Sequence, residues 1–524
     1  GPTDKPIPTR SCRLGMNQFH HLCICRFNTD SSAPSINWPS VDTPEEDKQM
    51  LRFHCHFVAL TTWLLLSHSS MAQEIKPPTS TAGKLLGGWL EFMNATDGSP
   101  ANAFNPAGFR DKTDTARSSR IEFRNRGREI FGSLKLAKIL DEKEREIAVV
   151  LSSKKGQEIQ VTLFLTPAPD NLIEAVKMEP YRRSTPKGPQ PDEQIKERIK
   201  EIMERAQTAG FSGAVLIARK SEPMFAGAYG LANRSYNARN TIHTKFNLGS
   251  MNKMFTAVAI MQLVERNQLE LADPVSKYLD QSWLPKVDTD QIKIHHLLNH
   301  TSGLGSYFNE DFQNGSRANF RYISDYKPLL LAEKIDQTPG SGWRYSNTGY
   351  LLLGAIVEKV TGDSYFDYVR ANIYQPVGMT DSDCFELDTP TENLAYGYFR
   401  EGDQWKNNLF LHVIKGGPAG GGYSTLRDLL RFSNALSGGQ LLSSENTRNL
   451  VTPKANSPTY GYGFEIAKTP TGLVAGHSGG FPGIESHLSM YLDKGVTLVI
   501  LCNADNCMNL VLDDLRDVVS SIQN

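Results

Sequence analysis

Hydrophobic and polar positions follow different rhythms along this chain. Between residues 159 and 165, Ile159, Val161, Leu163 and Leu165 occupy every second position, the period of a strand with one buried face. "IAVVLSS" before it and "NLIEAVKM" after it are joined to it by "KKGQ" and "PAPD", both turn-forming sequences. A helix-like segment, "LLGGWLEFMN" (85–94), stands upstream and leads into a polar loop. Together these predict a small α+β domain over 80–181. From Ile195 the rhythm becomes helical, with Ile199, Ile202 and Ala206 following at turn-length intervals. The intervening 182–194, rich in Pro, charge and turn formers, reads as a linker.

The helix-then-curved-sheet order of residues 80–181 resembles the nuclear-transport-factor-2-like fold. No constellation of His, Cys or paired carboxylates within it points to chemistry. Downstream, "FSGAVLIARKSEPMFAGAYGLAN" reads as strand–turn–strand and a long helical, loop-rich middle follows. "GLVAGHSGG", "ESHLSMYLDKG" and "VTLVILCNA" return to antiparallel strands, and "CMNLVLDDLRDVVSSI" closes as a helix. Strands at both ends of 195–524 with helices between predict one sheet assembled from the two ends.

Composition narrows the field slightly. A formal net charge of −1 and 22% charged residues over 524 positions ask for neither a nucleic-acid partner nor an anionic membrane surface. From Met50 the text "MLRFHCHFVALTTWLLLSHSSMAQE" has a basic start at Arg52, an apolar run from Phe57 to Leu66 and small residues flanking Met71. That pattern predicts a secretory signal peptide over 50–72, since the run is too short to span a bilayer. A buried core segment is the competing reading. Residues 1–49 then read as upstream or vector-derived sequence, and the mature protein as secreted or periplasmic, starting near Gln73. Cys384, Cys502 and Cys507 remain in the mature part. Cys502 and Cys507 are spaced to pair in an oxidising compartment, or serve as small buried residues. Nothing in the sequence fixes an oligomeric state.

The string "GHSGG" (476–480) satisfies G-x-S-x-G, the nucleophile-elbow pattern of α/β-hydrolases, with Ser478 at its centre. Chain order argues against that role. Such an enzyme needs an acid and then a His after the nucleophile. Only His487 follows, nine residues on with no intervening Asp, and the chain ends at 524. A better candidate lies in "FNLGSMNKMFTAVAIMQLVERNQLEL". There Ser250-Met251-Asn252-Lys253 is an S-x-x-K motif opening an apolar helix. Positions i and i+3 share a helix face, so Lys253 can reach the Ser250 hydroxyl. A lysine serves as base when desolvation lowers its pKa, and the helix N-terminus favours a developing oxyanion. An N-cap serine on a surface helix is the bland alternative.

"WRYSNTGYLLLGAIVEKVTG" adds Tyr345-Ser346-Asn347 before a helix, and "GHSGG" adds His477-x-Gly479 on a C-terminal strand. The order S-x-x-K, Y-x-N, [KH]-x-G resembles the serine β-lactamase and penicillin-recognising hydrolases. The nearest branch is that of class C β-lactamases, D-alanyl-D-alanine carboxypeptidases, D-aminopeptidases and related esterases. "LELADPVSKYL", "HHLLNHTSGL", "YQPVGMTDS", "PAGGGYSTLRDLLRF" and "YGYGFEI" agree with it. The resemblance covers about 200–524. It implies an α+β fold of the β-lactamase/transpeptidase type, an antiparallel sheet flanked by helices plus a helical region. It also implies an acyl-enzyme hydrolase of small esters, amides or D-residue peptides, requiring no cofactor and no metal. By the same resemblance Ser250 is the nucleophile, and Lys253 and Tyr345 are the acid/base groups. Asn347 orients Lys253 and a substrate amide, and the backbone N–H groups of Ser250 and Gly480 form the oxyanion hole. His477, with Gly479 on the same strand, faces the Tyr345 hydroxyl or a substrate carboxylate. Many relatives carry Lys where this chain has His477. A His is charged only at low pH or with a raised pKa, which disfavours carboxylate-bearing β-lactams. A β-lactamase and a non-catalytic binder of penicillin or cell-wall fragments are the alternatives. His295, His296 and His300 have no accompanying carboxylate ligand and read as structural.

Overall fold

A computed structural model of the chain describes residues 75–523 apart from 97, 155–156, 182–187 and 403. The expected signal peptide and the sequence before it lie outside the described residues.

Helix α1 (Thr81–Asn94) starts four residues earlier than its apolar text, because Ser80 caps it by accepting from Gly83 N–H at 2.9 Å. The segment read as a polar loop contains a second helix, α2 (Asp114–Phe131). Periodicity missed it because its buried residues are Arg124 and Gly127 rather than an apolar stripe. The Arg124 guanidinium lies over the Phe92 ring of α1 at 5.5 Å. A four-stranded antiparallel sheet follows: β1 (Leu134–Lys143), β2 (Glu146–Ser153), β3 (Glu158–Leu165) and β4 (Ile173–Pro180), in that order. β1 also escaped the pattern. Only Leu134 and Leu136 are buried on it, and two register irregularities break its alternation.

Helix α3 (Asp192–Thr208) begins inside the stretch read as linker, since its first turn is acidic rather than apolar. β5 (Gly213–Arg219) and β6 (Glu222–Tyr229) follow. Helix α4 (Asn252–Glu265), α5 (Asn347–Thr361) and α6 (Leu426–Ser437) occupy the middle. The C-terminal part supplies β7 (Glu465–Thr469), β8 (Gly472–Phe481), β9 (Ile484–Tyr491), β10 (Val496–Cys502) and α7 (Leu512–Ser521).

These strands form one antiparallel sheet ordered β7-β8-β9-β10-β5-β6. Its closure pairs β10 with β5, Val496 opposite Arg219 and Cys502 opposite Gly213, so the sheet is assembled from both ends of this region. Side chains alternate between two cores. Ala214, Leu216, Val499 and Leu501 face the helical region with α4, α5 and α6, whereas Val215, Ile217, Leu498 and Ile500 pack with α3 and α7. Both faces being covered explains why β10 carries an apolar run from Leu498 to Cys502. Helix α4 is buried nearly all round, from Asn252 to Leu263, which takes Lys253 out of water. Cys384, Cys502 and Cys507 are all buried free thiols.

Candidate active site

Three segments meet at the start of α4. A short turn, Gly249–Met251, brings Ser250 to the end of β8. Gly249 has φ +49°, and a Cβ there would stand 2.9 Å from the Gly480 nitrogen. A Cβ on Gly479 would lie 2.0 Å from Leu248 O and 2.9 Å from the Ser250 nitrogen. The two glycines thus let β8 approach the turn until the backbone nitrogens of Ser250 and Gly480 lie at one lip, where an oxyanion hole needs them.

Lys253 is fully buried one helical turn on from Ser250. Its Nζ is 3.3 Å from Ser250 Oγ, 2.8 Å from Asn347 Oδ1 and 2.5 Å from the Ala419 carbonyl. The Tyr345 ring lies 4.8 Å away and Tyr350 5.4 Å. No carboxylate contacts it among the described residues, so burial pushes its pKa well below that of an ordinary lysine. Lys253 Nζ donates to three oxygens, those of Ser250, Asn347 and Ala419. Loss of one proton would turn a lone pair toward the Ser250 hydroxyl.

Tyr345 is half-buried, and its hydroxyl pairs with Ser250. Burial raises its pKa well above that of a free phenol; the Ser250 bond lowers it, and Glu465 raises it further. Asn347 opens α5 directly after Ser346, whose Oγ caps the helix by accepting from Gly349 N–H at 2.8 Å. Its amide also donates to Ser306 Oγ at 3.1 Å. Ser250, Lys253, Tyr345, Asn347 and Gly480 therefore converge as the sequence motifs expect.

His477 departs from expectation. It is buried, its Nδ1 lies 2.5 Å from Ser478 O, and its Nε2 lies 2.8 Å from the Tyr460 hydroxyl. The carbonyl fixes the proton on Nδ1, so Nε2 accepts from Tyr460. Tyr460, and not Tyr345 or an open cleft, is what this side chain faces. Burial lowers its pKa, and Glu465 at 3.7 Å opposes that. The imidazole is accordingly neutral near pH 7.

Ser478 points to the opposite face of β8. Its Oγ donates to Glu465 Oε2 at 3.0 Å and lies 3.0 Å from Nδ1 of His487, its cross-strand neighbour. The arrangement is not a triad. Nε2 of His487 meets Ser489 Oγ at 2.7 Å instead of a carboxylate. Burial, with the nearby Arg516, pushes the His487 pKa down to about 3.

Before Ser250 lies a cleft of about 50 Å³, walled by Tyr307, Phe308, Phe312, His412 and Phe481. None of the described residues lining it is Lys, Arg, Asp or Glu. His412 is neutral, its Nδ1 lying 2.8 Å from Val413 O and its Nε2 3.1 Å from the Asn247 amide. Sequence reasoning missed Tyr460, Glu465, His412 and this aromatic wall. "YGYGFEI" contains the first two, but no spacing rule assigns them a place.

A family model described as Beta-lactamase matches residues 195–518. The chain belongs to the Beta-lactamase family. Penicillin-binding protein 4* of Bacillus subtilis (strain 168) is 30% identical over 314 residues, 56% of this chain and 68% of that protein. Esterase EstB of Burkholderia gladioli is 36% identical over 200 residues, 36% of this chain and 50% of the esterase. Among solved structures, a penicillin-binding protein from Bacillus halodurans is 33% identical with a TM-score of 0.56, covering 61% of this chain and 98% of its own. The family thus spans penicillin-binding proteins and an esterase, and the fold is the one its motifs imply.

Proposed function

We propose that this protein is a serine hydrolase that cleaves small uncharged esters or amides, including those of D-residues, through an acyl-enzyme on Ser250. The observation that carries the reading is Lys253, buried with no counter-ion among the described residues and bonded to Ser250, Asn347 and Ala419. As neutral amine, Lys253 takes the Ser250 proton while Oγ attacks the acyl carbon. The Ser250 and Gly480 N–H groups hold the resulting oxyanion. Tyr345, kept protonated by burial, donates to the leaving alcohol or amine as its bond to the acyl carbon breaks. Lys253 then returns its proton to Tyr345; in deacylation it takes a proton from the attacking water and passes it to Ser250 Oγ as the acyl–oxygen bond breaks, releasing the acid.

The walls of the cleft support an uncharged substrate. His477 is neutral and turned to Tyr460, so no fixed cation awaits a substrate carboxylate. This disfavours the β-lactamase alternative. Export through the signal-like segment at 50–72 belongs to the same reading and rests on sequence pattern alone. The test is intact mass of the protein with p-nitrophenyl acetate and, separately, with a penicillin. Ester turnover, a transient acetyl adduct mapping to Ser250 and unchanged penicillin are expected. An adduct on Ser478, or no ester turnover at all, would overturn the assignment.

A further inference from the structure

Behind Tyr345 lies a histidine that the hydrolase reading does not use. His300 is fully buried and takes φ +61°, a left-handed conformation uncommon for a residue with a Cβ. Its backbone carbonyl accepts from Arg344 N–H at 2.7 Å, and its ring Nδ1 accepts from Ser346 N–H at 3.1 Å. The residues on both sides of Tyr345 are thus held by one histidine. Its imidazole also packs on the Tyr345 ring, centroids 4.4 Å apart, and contacts Tyr350 and Tyr460 at 5.1 and 4.7 Å.

Because Nδ1 accepts, the ring proton sits on Nε2, which finds no hydrogen-bond partner among the described residues. An unpaired buried N–H and a left-handed non-glycine are each costly, and such features concentrate where geometry serves function. Burial keeps the ring neutral, so Nδ1 remains an acceptor.

We propose that His300 is a positioning residue for Tyr345. Its backbone carbonyl and ring nitrogen clamp the Tyr345 main chain from both sides, and its ring face sets the angle of the phenol toward Ser250. The inference rests on Tyr345 acting as the acid/base group of the proposed hydrolase. Nothing in it requires His300 to touch substrate.

The test compares His300→Ala, which removes the ring acceptor, with His300→Asn, whose Oδ1 can replace Nδ1 and whose backbone tolerates positive φ. Tyr345→Phe runs beside them, with p-nitrophenyl acetate as substrate. A misplaced acid/base group costs up to about 10²-fold, so His300→Ala should lower kcat by about 10- to 100-fold with KM within about twofold. His300→Asn should recover most of that loss. Thermal unfolding checks that each variant is folded, and His300→Leu replaces the alanine variant if the cavity prevents folding. Equal losses in the alanine and asparagine variants, an unchanged kcat in His300→Ala, or a change confined to KM would overturn the clamp. So would failure of both Ala and Leu variants to fold, which would assign His300 to folding. If Tyr345→Phe keeps full activity, the acid/base reading itself fails. A collapsed Tyr345→Phe beside an active His300→Ala fails the clamp alone.

Discussion

Two serines in this molecule stand next to a nitrogen base, one on each side of strand β8. Ser250 Oγ is 3.3 Å from Lys253 Nζ, and Ser478 Oγ is 3.0 Å from His487 Nδ1. By distance alone the second pair is the better one, and its residues are the more familiar. Their surroundings reverse that order. Ser478 already gives its proton to Glu465, and His487 is a poor base with a pKa near 3. Among the described residues Lys253 hydrogen-bonds to neutral oxygens, so the interior itself favours its neutral form. Ser250 alone also has two backbone nitrogens converging beside it. A nucleophile is defined here by where its proton can go and where the new negative charge can rest, more than by the closeness of a base.

The largest expected effect tests that contrast directly. Ser250→Ala should remove ester turnover by about 10³-fold or more, the scale of losing a covalent nucleophile. Ser478→Ala should stay within about threefold of the parent, since its hydroxyl touches no reacting group. Steady-state kinetics with p-nitrophenyl acetate on both variants decides it. Equal losses would dissolve the comparison.

The bases come next. Lys253→Arg has similar reach but puts a permanent cation where a neutral amine is needed, so kcat should fall by at least about 10²-fold. His487→Gln retains hydrogen bonding to Ser478 and should change kcat by less than about threefold. A Lys253→Arg enzyme with near-normal kcat would show that Tyr345, not Lys253, receives the Ser250 proton.

The contrast also explains what could be read from sequence. Ser250 and Lys253 were legible as a pair because one helical turn is itself their geometry, whereas Tyr345 and Asn347 were placed by the resemblance of the ordered motifs to a known family. The sheet was legible from the apolar runs of β5 and β10. The orientation of His477 was not, because strand alternation gives the face a side chain occupies but not whether Tyr460 intercepts it there. The Ser478–His487 contact is a cross-strand pairing and needs the register of β8 on β9. Helix α2 stayed hidden because it buries Arg124 against Phe92 instead of showing an apolar stripe.

Linkage sharpens the electrostatic half of the comparison. Lys253 has a folded-state pKa lowered from 10.5, so between that lowered value and 10.5 the unfolded chain binds the extra proton. Stability then rises with pH in this window, by at most about 1.4 kcal/mol per pH unit from this one group. Below the folded pKa the contribution is lost, because the amine must be buried charged. Urea titrations of the parent and Lys253→Met from pH 6 to 9 should therefore diverge, the parent gaining relative stability toward the alkaline end. Parallel curves would mean that Lys253 is charged at neutral pH and would remove the basis for its role.

Glu465 lies between the two clusters and sets the finest test. Its Oε2 accepts from Ser478, and its Oε1 is 3.7 Å from His477 Nδ1, with the side chain 45% exposed. Solvent at that exposure screens its charge, so its pull on Tyr345 and His477 is weak. Glu465→Gln keeps an acceptor for Ser478 and removes only the charge. Activity should stay within about threefold, with a stability loss of no more than about 1 kcal/mol in denaturant titrations. A loss of activity beyond about tenfold, with stability intact, would mean that charge crosses β8 from one serine's surroundings to the other's. The two faces would then form a single catalytic network, and Ser478 would matter through Glu465 even without attacking substrate.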